Sequence, residues 1–231
     1  MKHITRILLG GICSAGIAVS AADSSTLFEF DSEPELKPVV SKQKDSKDAL
    51  KEYLLPITPT EGRSFALECD LELKTFNHYA AVLIGLSNGK QQKLLMKFNM
   101  GDDRLHRCAF IAQALAGISS RIRPFDKVEL GKMQVAIEYS AEKRTVIYLL
   151  RDAGGKEIYT TGPVRVNGKF NLTNFVIGVT EDDNEAGEVS FDPAAKALFF
   201  RSYVGVEGEY PYTVEGMIDN VAIRVETPEV K

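Results

Sequence analysis

The residue types best suited to chemistry form one short acidic run, Glu68-Cys69-Asp70-Leu71-Glu72. Side chains alternate between the two faces of a β-strand, so this spacing puts all three carboxylates on one face. Hydrolysis of a glycoside with retention needs a carboxylate nucleophile and a carboxylic acid/base about 5 Å apart. Two glutamates leaning toward each other could approach that separation, with Asp70 orienting the nucleophile or holding a proton. The run therefore indicates either a catalytic carboxylate pair or the solvated face of an ordinary strand.

A second acidic run, Glu181-Asp182-Asp183-Asn184-Glu185, follows an apolar stretch. Calcium takes six to eight oxygen ligands from carboxylates, carbonyls and water, and an acidic turn between strands can supply them. Glu181, Asp182 and Asp183 are therefore candidate ligands for a calcium ion. Their spacing matches no established calcium loop, so a solvated acidic turn is the alternative.

An aromatic cluster lies before the last predicted strand, where Tyr203, Tyr210 and Tyr212 accompany Arg201 in a segment interrupted by Gly and Pro. Sugars stack on aromatic rings and form hydrogen bonds with charged groups, and binding residues favour loops on a rigid scaffold. These four residues are a candidate ligand-binding site, with packing at the edge of the sheet as the alternative.

The cysteines Cys69 and Cys108 could form a disulfide if the protein is exported to an oxidising compartment. A bridge that closes a loop of about 40 residues stabilises a fold by roughly 4 kcal/mol in the chain-entropy model. Cys69 falls on the apolar face of the alternating stretch Phe65–Leu73, so two buried free thiols are an equally good interpretation.

The N-terminus has the layout of a secretory signal peptide over residues 1–21. Lys2 and Arg6 precede an apolar run from Ile7 to Val19, and the small residues Ser20 and Ala21 fit a cleavage site. The apolar run is shorter than the roughly 20 residues that span a bilayer. We therefore expect cleavage near Ala22, no membrane span, and a final location in the periplasm, at the cell surface or outside the cell.

The composition is that of an ordinary globular protein of 231 residues with 44% hydrophobic residues. Acidic residues outnumber Lys and Arg by 32 to 28, which argues against nucleic acid as a partner because phosphate binding needs a basic surplus. The chain has no Trp.

Strand signals dominate residues 22–231, which we expect to form a single domain. Phe65–Leu73 alternates apolar and polar residues, and strong turn sequences stand at 87–90 and 152–155. About a dozen short strands with frequent turns predict an all-β antiparallel sandwich or barrel. Residues 31–63 carry several prolines and charges and predict an irregular connection, with a short helix over Ser46–Leu54.

Three segments together resemble the concanavalin A-like lectin/glucanase superfamily in its laminin-G-like jelly-roll branch. Ser64–Gly89 is similar to the opening hairpin of that family, and Lys132–Thr160 to a strand, turn and strand that carry a Tyr and a Gly-rich turn. Glu215–Arg224 is similar to the closing strand, which pairs near the first strand, here Thr26–Phe30.

This resemblance implies two curved antiparallel sheets packed face to face, in a family whose members bind glycans or proteins or hydrolyse polysaccharides. The acidic run also resembles the Glu-x-Asp-x-Glu signature of glycoside hydrolase family 16, which implies Glu68 as nucleophile, Asp70 as its helper and Glu72 as acid/base. Two departures weigh against catalysis. The motif lies early in the chain, whereas the hydrolases carry it late, and the Trp platforms of those hydrolases are missing.

The sequence thus favours an exported concanavalin A-like β-sandwich that binds a glycan or a cell-surface partner without catalysis. A glycoside hydrolase that uses Glu68 and Glu72 is the first alternative. A structural envelope protein with no small ligand is the second.

Overall fold

The computed structural model of the protein describes residues 24–28, 34, 36–42, 49–76, 81–89, 92–100, 106–113, 119–121, 128–181, 187–205 and 211–226. These ranges contain sixteen strands and no helix, and hence no helix that could cross a membrane. The strands are β1 Ser24–Phe28, β2 Lys37–Lys42, β3 Ala49–Pro56, β4 Phe65–Phe76, β5 Ala81–Ser87, β6 Lys93–Met100, β7 His106–Gln113, β8 Ser119–Arg121, β9 Gly131–Ser140, β10 Thr145–Asp152, β11 Glu157–Thr160, β12 Val164–Arg165, β13 Asn174–Glu181, β14 Glu188–Asp192, β15 Ala197–Gly205 and β16 Pro211–Glu226.

The strands form two antiparallel sheets that pack into a sandwich. The nine-stranded sheet has the order β11-β10-β9-β4-β16-β15-β14, with β1 added on β16 and β12 on β10. The seven-stranded sheet has the order β2-β3-β13-β5-β6-β7-β8. The prediction of an all-β antiparallel sandwich is confirmed.

Period-two alternation fills the space between the sheets. In β4 the residues Phe65, Leu67, Cys69, Leu71 and Leu73 are all buried, whereas the residues between them are partly exposed. Full burial of one large aliphatic or aromatic side chain contributes about 1.5–3 kcal/mol, so this one strand supplies a substantial part of the core energy.

An aromatic group closes the core beside β4. The rings of Phe65 and Tyr139 are stacked with centroids 5.0 Å apart, and the ring of Phe170 lies 5.8 Å from that of Phe65. The backbone N–H of Phe170 donates a hydrogen bond to the Tyr139 hydroxyl at 3.1 Å. This bond satisfies the buried polar tip of the tyrosine, as a buried phenol requires.

Strand pairing confirms two expectations from the sequence. β1 pairs antiparallel with β16, with Thr26 opposite Arg224, as the resemblance of the closing strand implied. The turn that contains Asn88 and Gly89 joins β5 to β6, and Gly89 has a φ of 74° that suits glycine.

Residues 31–63 are not the irregular connection that their composition predicts. They contain β2 and β3, and the helix expected over Ser46–Leu54 is wrong because β3 occupies Ala49–Pro56. β3 pairs with β13 along its whole length, with Tyr53 opposite Ile177, and this pairing overrides the local sequence signal.

The expectation of an opening hairpin over Ser64–Gly89 is also wrong. β4 belongs to the nine-stranded sheet and β5 to the seven-stranded sheet, so the chain crosses between the sheets here. The segment 77–80 that connects them lies outside the described residues.

Cys69 and Cys108 are free thiols in the structure and lie in the same buried core, on β4 and β7 of opposite sheets. Burial raises the pKa of both thiols, and the neighbouring Asp70 carboxylate raises that of Cys69 further. Both are therefore protonated near neutral pH and poorly nucleophilic.

A substitution at Gly216 tests how closely the strands of the nine-stranded sheet pack. A Cβ at this position would overlap the carbonyl oxygen of Glu72 and the buried Phe200 ring. We expect Gly216→Ala to lower the free energy of unfolding by about 1–3 kcal/mol, because neither neighbour has room to move. Denaturant unfolding measures this, with the exposed neighbour Glu215→Ala as the control. Equal stability of the two variants would contradict the described packing.

Candidate functional site

The outer face of the nine-stranded sheet carries the three carboxylates of the first acidic run. Glu68, Asp70 and Glu72 all lie on this face of β4, each partly exposed. Asp70 stands opposite Gln134 of β9 and Asp219 of β16. We call the outer surface of β9, β4 and β16 the polar face.

An ion pair holds the first carboxylate of the run. Nη1 of Arg224 donates to Oε2 of Glu68 at 2.6 Å, and both side chains are about four-tenths exposed. Arg224 pairs in register with Ala66, which lies on the far side of Glu68 from Glu72. The ion pair thus draws the Glu68 carboxylate away from Glu72.

The backbone separation of the two glutamates is large. Four residues of extended strand put their Cα atoms about 13 Å apart, and β4 pairs with β9 without a register shift between them. Retaining hydrolysis needs the two carboxyl groups about 5 Å apart. The two carboxyl groups therefore reach that separation only if both side chains lean toward each other along the strand.

A bulge in β16 positions a partner for the middle carboxylate. The pairing of β16 with β4 shifts between Asp219 and Ala222, and Asn220 takes a φ of 49°. Asparagine tolerates this left-handed conformation better than most residues. The bulge aims Nδ2 of Asn220 at Oδ2 of Asp70, where it donates a hydrogen bond of 2.8 Å.

The crowding of carboxylates changes the acidity of two of them. Burial raises the pKa of the Asp219 carboxyl, the nearby Asp70 and Glu72 raise it further, and Lys132 lowers it. Burial also raises the pKa of Glu138, with Glu68 adding to the effect and Arg151 opposing it. Oε2 of Glu138 is buried and has no hydrogen-bond partner within the described part of the chain.

A shallow pocket of about 70 Å³ opens among these groups. We call it the acidic pocket; its polar lining is Asp70, Glu72, Lys132, Gln134 and Asp219. Apolar side chains continue from it toward the sheet edge.

The apolar part of this surface consists of Met217 and Phe199. Met217 lines the acidic pocket, and Phe199 is opposite Met217 on the neighbouring strand β15. Nζ of Lys74 lies 5.8 Å from the centre of the Phe199 ring, within the range of a cation–π contact. The polar face therefore combines hydrogen-bonding groups with a small apolar platform.

A larger cleft of about 280 Å³ lies next to the acidic pocket. We call it the end cleft, because it lies where β9 begins and β10 ends. Its described lining is Val128, Glu129, Leu130, Lys132, Met133, Leu150, Asp152 and Ile158. Lys132 and Met133 line both sites, so the end cleft and the acidic pocket are neighbours.

The outer face of the seven-stranded sheet carries an ion pair between two of its described side chains. Nζ of Lys93 on β6 donates to both carboxylate oxygens of the buried Glu52 on β3, at 2.7 and 2.5 Å. β3 and β6 are separated by two strands, about 14 Å at the backbone, so this face must curve inward for them to meet. Leu83, Leu95 and Val176 on this face are buried as well.

The predicted aromatic site is only partly brought together. Nε and Nη2 of Arg201 donate to Oε2 of Glu188 at 2.9 and 2.7 Å. Tyr203 pairs with Thr213 and Tyr212 pairs with Val204, so alternation assigns positions 203 and 212 to opposite faces of the sheet. Tyr210 lies outside the described residues.

One of the three predicted calcium ligands lies at the end of β13. Glu181 is the last residue of that strand, whereas Asp182 and Asp183 fall outside the described residues. Within the described ranges, no group of three or more His, Cys, Asp or Glu side chains could hold a metal ion.

Sequence reasoning missed three parts of this surface. Asp219 and Gln134 join the acidic run only through strand pairing, and the end cleft is formed by residues that sequence analysis assigned only to strands and turns. The one available signal was Asp219-Asn220, a pair typical of a tight bend in a strand.

No protein-family model matches the chain, and comparison with curated proteins gives no match. Among solved structures, the CBM2 module of the evolved Dit of Lactobacillus casei BL23 phage J-1 is similar, with 5% identity, 92% of this chain and 94% of that chain covered, and a TM-score of 0.51. A beta-1,3-glucanase from Mycobacterium marinum has 12% identity, covers 86% and 98%, and gives 0.49. Carbohydrate binding module CBM66 from Bacillus subtilis has 9% identity, covers 68% and 90%, and gives 0.40. The chain thus shares the β-sandwich fold of the phage module.

The raised pKa of Asp219 predicts that removal of its charge increases the stability of the fold, by an amount that depends on pH. A carboxyl whose pKa is higher in the folded than in the unfolded state destabilises the fold once it ionises, so stability falls as pH rises from the unfolded pKa through the folded one. We expect Asp219→Asn to raise Tm at pH 7 by up to about 3 °C, and the gain to vanish below the unfolded pKa, where the carboxyl is neutral in both states.

Thermal unfolding at neutral and at strongly acidic pH measures this difference. Glu142→Gln, at an exposed turn, is the matched control and is expected to change Tm at neither pH. A lower Tm for Asp219→Asn at neutral pH would show that the carboxylate stabilises the fold instead.

Proposed function

We propose that this protein is an exported, non-catalytic module that binds a glycan on the polar face. The observation that carries the proposal is the clustering of Asp70, Glu72, Gln134 and Asp219 around the acidic pocket, beside the apolar Met217. Specific small-molecule sites combine apolar walls with a few convergent polar groups.

The chemistry of the acidic pocket suits sugar hydroxyl groups. Ionised carboxylates accept hydrogen bonds, the Gln134 amide both donates and accepts, and the Lys132 ammonium donates. A sugar ring presents hydroxyls that do both and a C–H face that packs on apolar side chains. Met217 and Phe199 offer such a surface at the side of the pocket.

The fold supports the same proposal. The phage structure that shares the sandwich is named as a CBM2 module. Fold alone does not fix function, so the weight rests on the polar face. We assign the chain to the laminin-G-like branch of the concanavalin A-like superfamily on the two remaining segments that resemble it, Lys132–Thr160 and Glu215–Arg224.

Export and the absence of catalysis are further parts of the proposal. The apolar run after Lys2 and Arg6 supports secretion. The Glu68–Arg224 ion pair supports binding without hydrolysis, because it draws the Glu68 carboxylate away from Glu72. Three carboxylates on one face remain the observation that favours a hydrolase as the second candidate.

Glycan binding is tested with a panel of polysaccharides and oligosaccharides, scored by thermal shift with and without calcium. We expect at least one glycan to raise Tm, and Gln134→Ala to weaken its binding about five-fold or more, because the pocket loses a group that both donates and accepts. The control Asn167→Ala removes an exposed amide from the loop after β12 and is expected to leave binding unchanged.

The same wells are assayed for new reducing ends. New ends that disappear in Glu68→Gln would replace the binding module by the hydrolase. No thermal shift with any glycan would reject the proposal and favour a protein partner or a structural role.

A further inference from the structure

The end cleft has an apolar interior at the open end of the sandwich. Its floor is formed by Met133 and Leu150, which belong to the buried core. Its walls include Leu130 and Ile158, which are each 44% exposed. These two are the large hydrophobic side chains that the described chain leaves most open to solvent.

Leu130 and Ile158, the two wall residues, both lie at irregular points of the backbone. The pairing of β10 with β11 shifts between Leu150 and Arg151, so that Ile158 is the extra residue of a bulge. Bulges redirect a side chain out of the regular strand pattern. Leu130 precedes Gly131, whose φ of 119° is a conformation that only glycine adopts readily.

Charges of one sign surround this apolar surface. Glu129 and Asp152 line the end cleft, and Asp70, Glu72 and Asp219 line the acidic pocket beside it. Among the described residues that line the two sites, these five carboxylates face one cationic group, Lys132. Such a surface repels polyanions and attracts cations, because clustered charges of one sign focus the local field.

The size of the end cleft limits what can enter it. Its volume of about 280 Å³ lies just below the roughly 300–1,000 Å³ of sites for drug-sized ligands. It has room for one ring-sized group. A longer ligand has to continue past Lys132 into the acidic pocket.

We propose that the end cleft and the acidic pocket together bind a glycan whose sugar units carry protonated amino groups. One ring packs its C–H face on Leu130 and Ile158, with its ammonium group near Glu129 or Asp152. The next units pass Lys132 and meet the carboxylates of the acidic pocket. This inference rests on the proposed glycan-binding function and adds the charge class of the glycan.

The experiment is isothermal titration calorimetry of the purified protein at a pH below the pKa of the sugar amine. Three ligands of equal length are compared: a glucosamine oligomer, its fully N-acetylated counterpart and a galacturonate oligomer. We expect the glucosamine oligomer to bind about ten-fold more tightly than the N-acetylated one, since each ammonium gains a charge-assisted contact. The galacturonate oligomer should not bind.

Four variants locate the contact. Ile158→Lys puts a cation in the cleft and is expected to weaken glucosamine binding more than ten-fold, and Glu129→Gln to weaken it about three-fold or more. Lys132→Gln removes the competing cation and is expected to strengthen binding, a gain that mere damage to the fold would not produce. Glu142→Gln, a charge loss at a distant exposed turn, should change nothing.

The outcomes separate this inference from the proposed function. Equal binding of the N-acetylated oligomer, or tighter binding of galacturonate, overturns the amino-glycan inference while glycan binding stands. The amino-glycan inference is also overturned if neither Glu129→Gln nor Lys132→Gln changes the binding of the glucosamine oligomer. These two variants still give a decisive result if Ile158→Lys fails to fold. Binding of oligolysine with the same sensitivity, and of no glycan on the panel, would reject both in favour of a cationic peptide.

Discussion

The functional surface of this protein depends on the register of one strand, β4. It lies inside the nine-stranded sheet, paired with β9 on one side and β16 on the other. A slip of one residue would turn Glu68, Asp70 and Glu72 into the core and expose Phe65 and Leu71. Buried carboxylates without partners cost several kcal/mol each, so the hydrophobic pattern and the charge pattern enforce the same register. The core and the polar face are two consequences of one alternation.

The clustered carboxylates of the polar face repel one another, which costs free energy, and the packing of the core does not depend on them. Asp219 lies opposite Asp70 across the strand pair, and its raised pKa reports the repulsion and the partial burial that it bears. Glu138 has a buried carboxylate oxygen with no partner in the described chain. A surface chosen for stability alone would pair such groups or replace them. A carboxyl with a raised pKa at a pocket, such as Asp219, is an observation that supports the proposal of a binding site there.

The sequence predicts what depends on neighbours along the chain and fails where distant strands decide. Alternation in β4 and the Asn88-Gly89 turn are local signals, and the structure contains both. β3 is missed because Tyr53 and Leu55 become strand residues through their pairing with β13, more than a hundred positions away. The polar face is predicted in part. The alternation of β4 predicts that its three carboxylates share one face, but Asp219 joins them only because β16 pairs with β4. The end cleft is missed because its wall, Ile158, is aimed by a bulge that no sequence pattern announces.

The acidic run suits catalysis or binding, and the partners of its carboxylates distinguish the two. Two-carboxylate catalysis needs a nucleophile and an acid that share one reacting bond and differ in pKa because their environments differ. Here Glu68 is engaged by Arg224, and the nearby carboxyls with a raised pKa are Asp219 and Glu138, on the two adjacent strands. The carboxylates that line the acidic pocket are therefore Asp70, Glu72 and Asp219, and Glu68 is not among them. A cluster of that kind accepts hydrogen bonds from several directions, which suits a hydroxyl- or ammonium-bearing ligand.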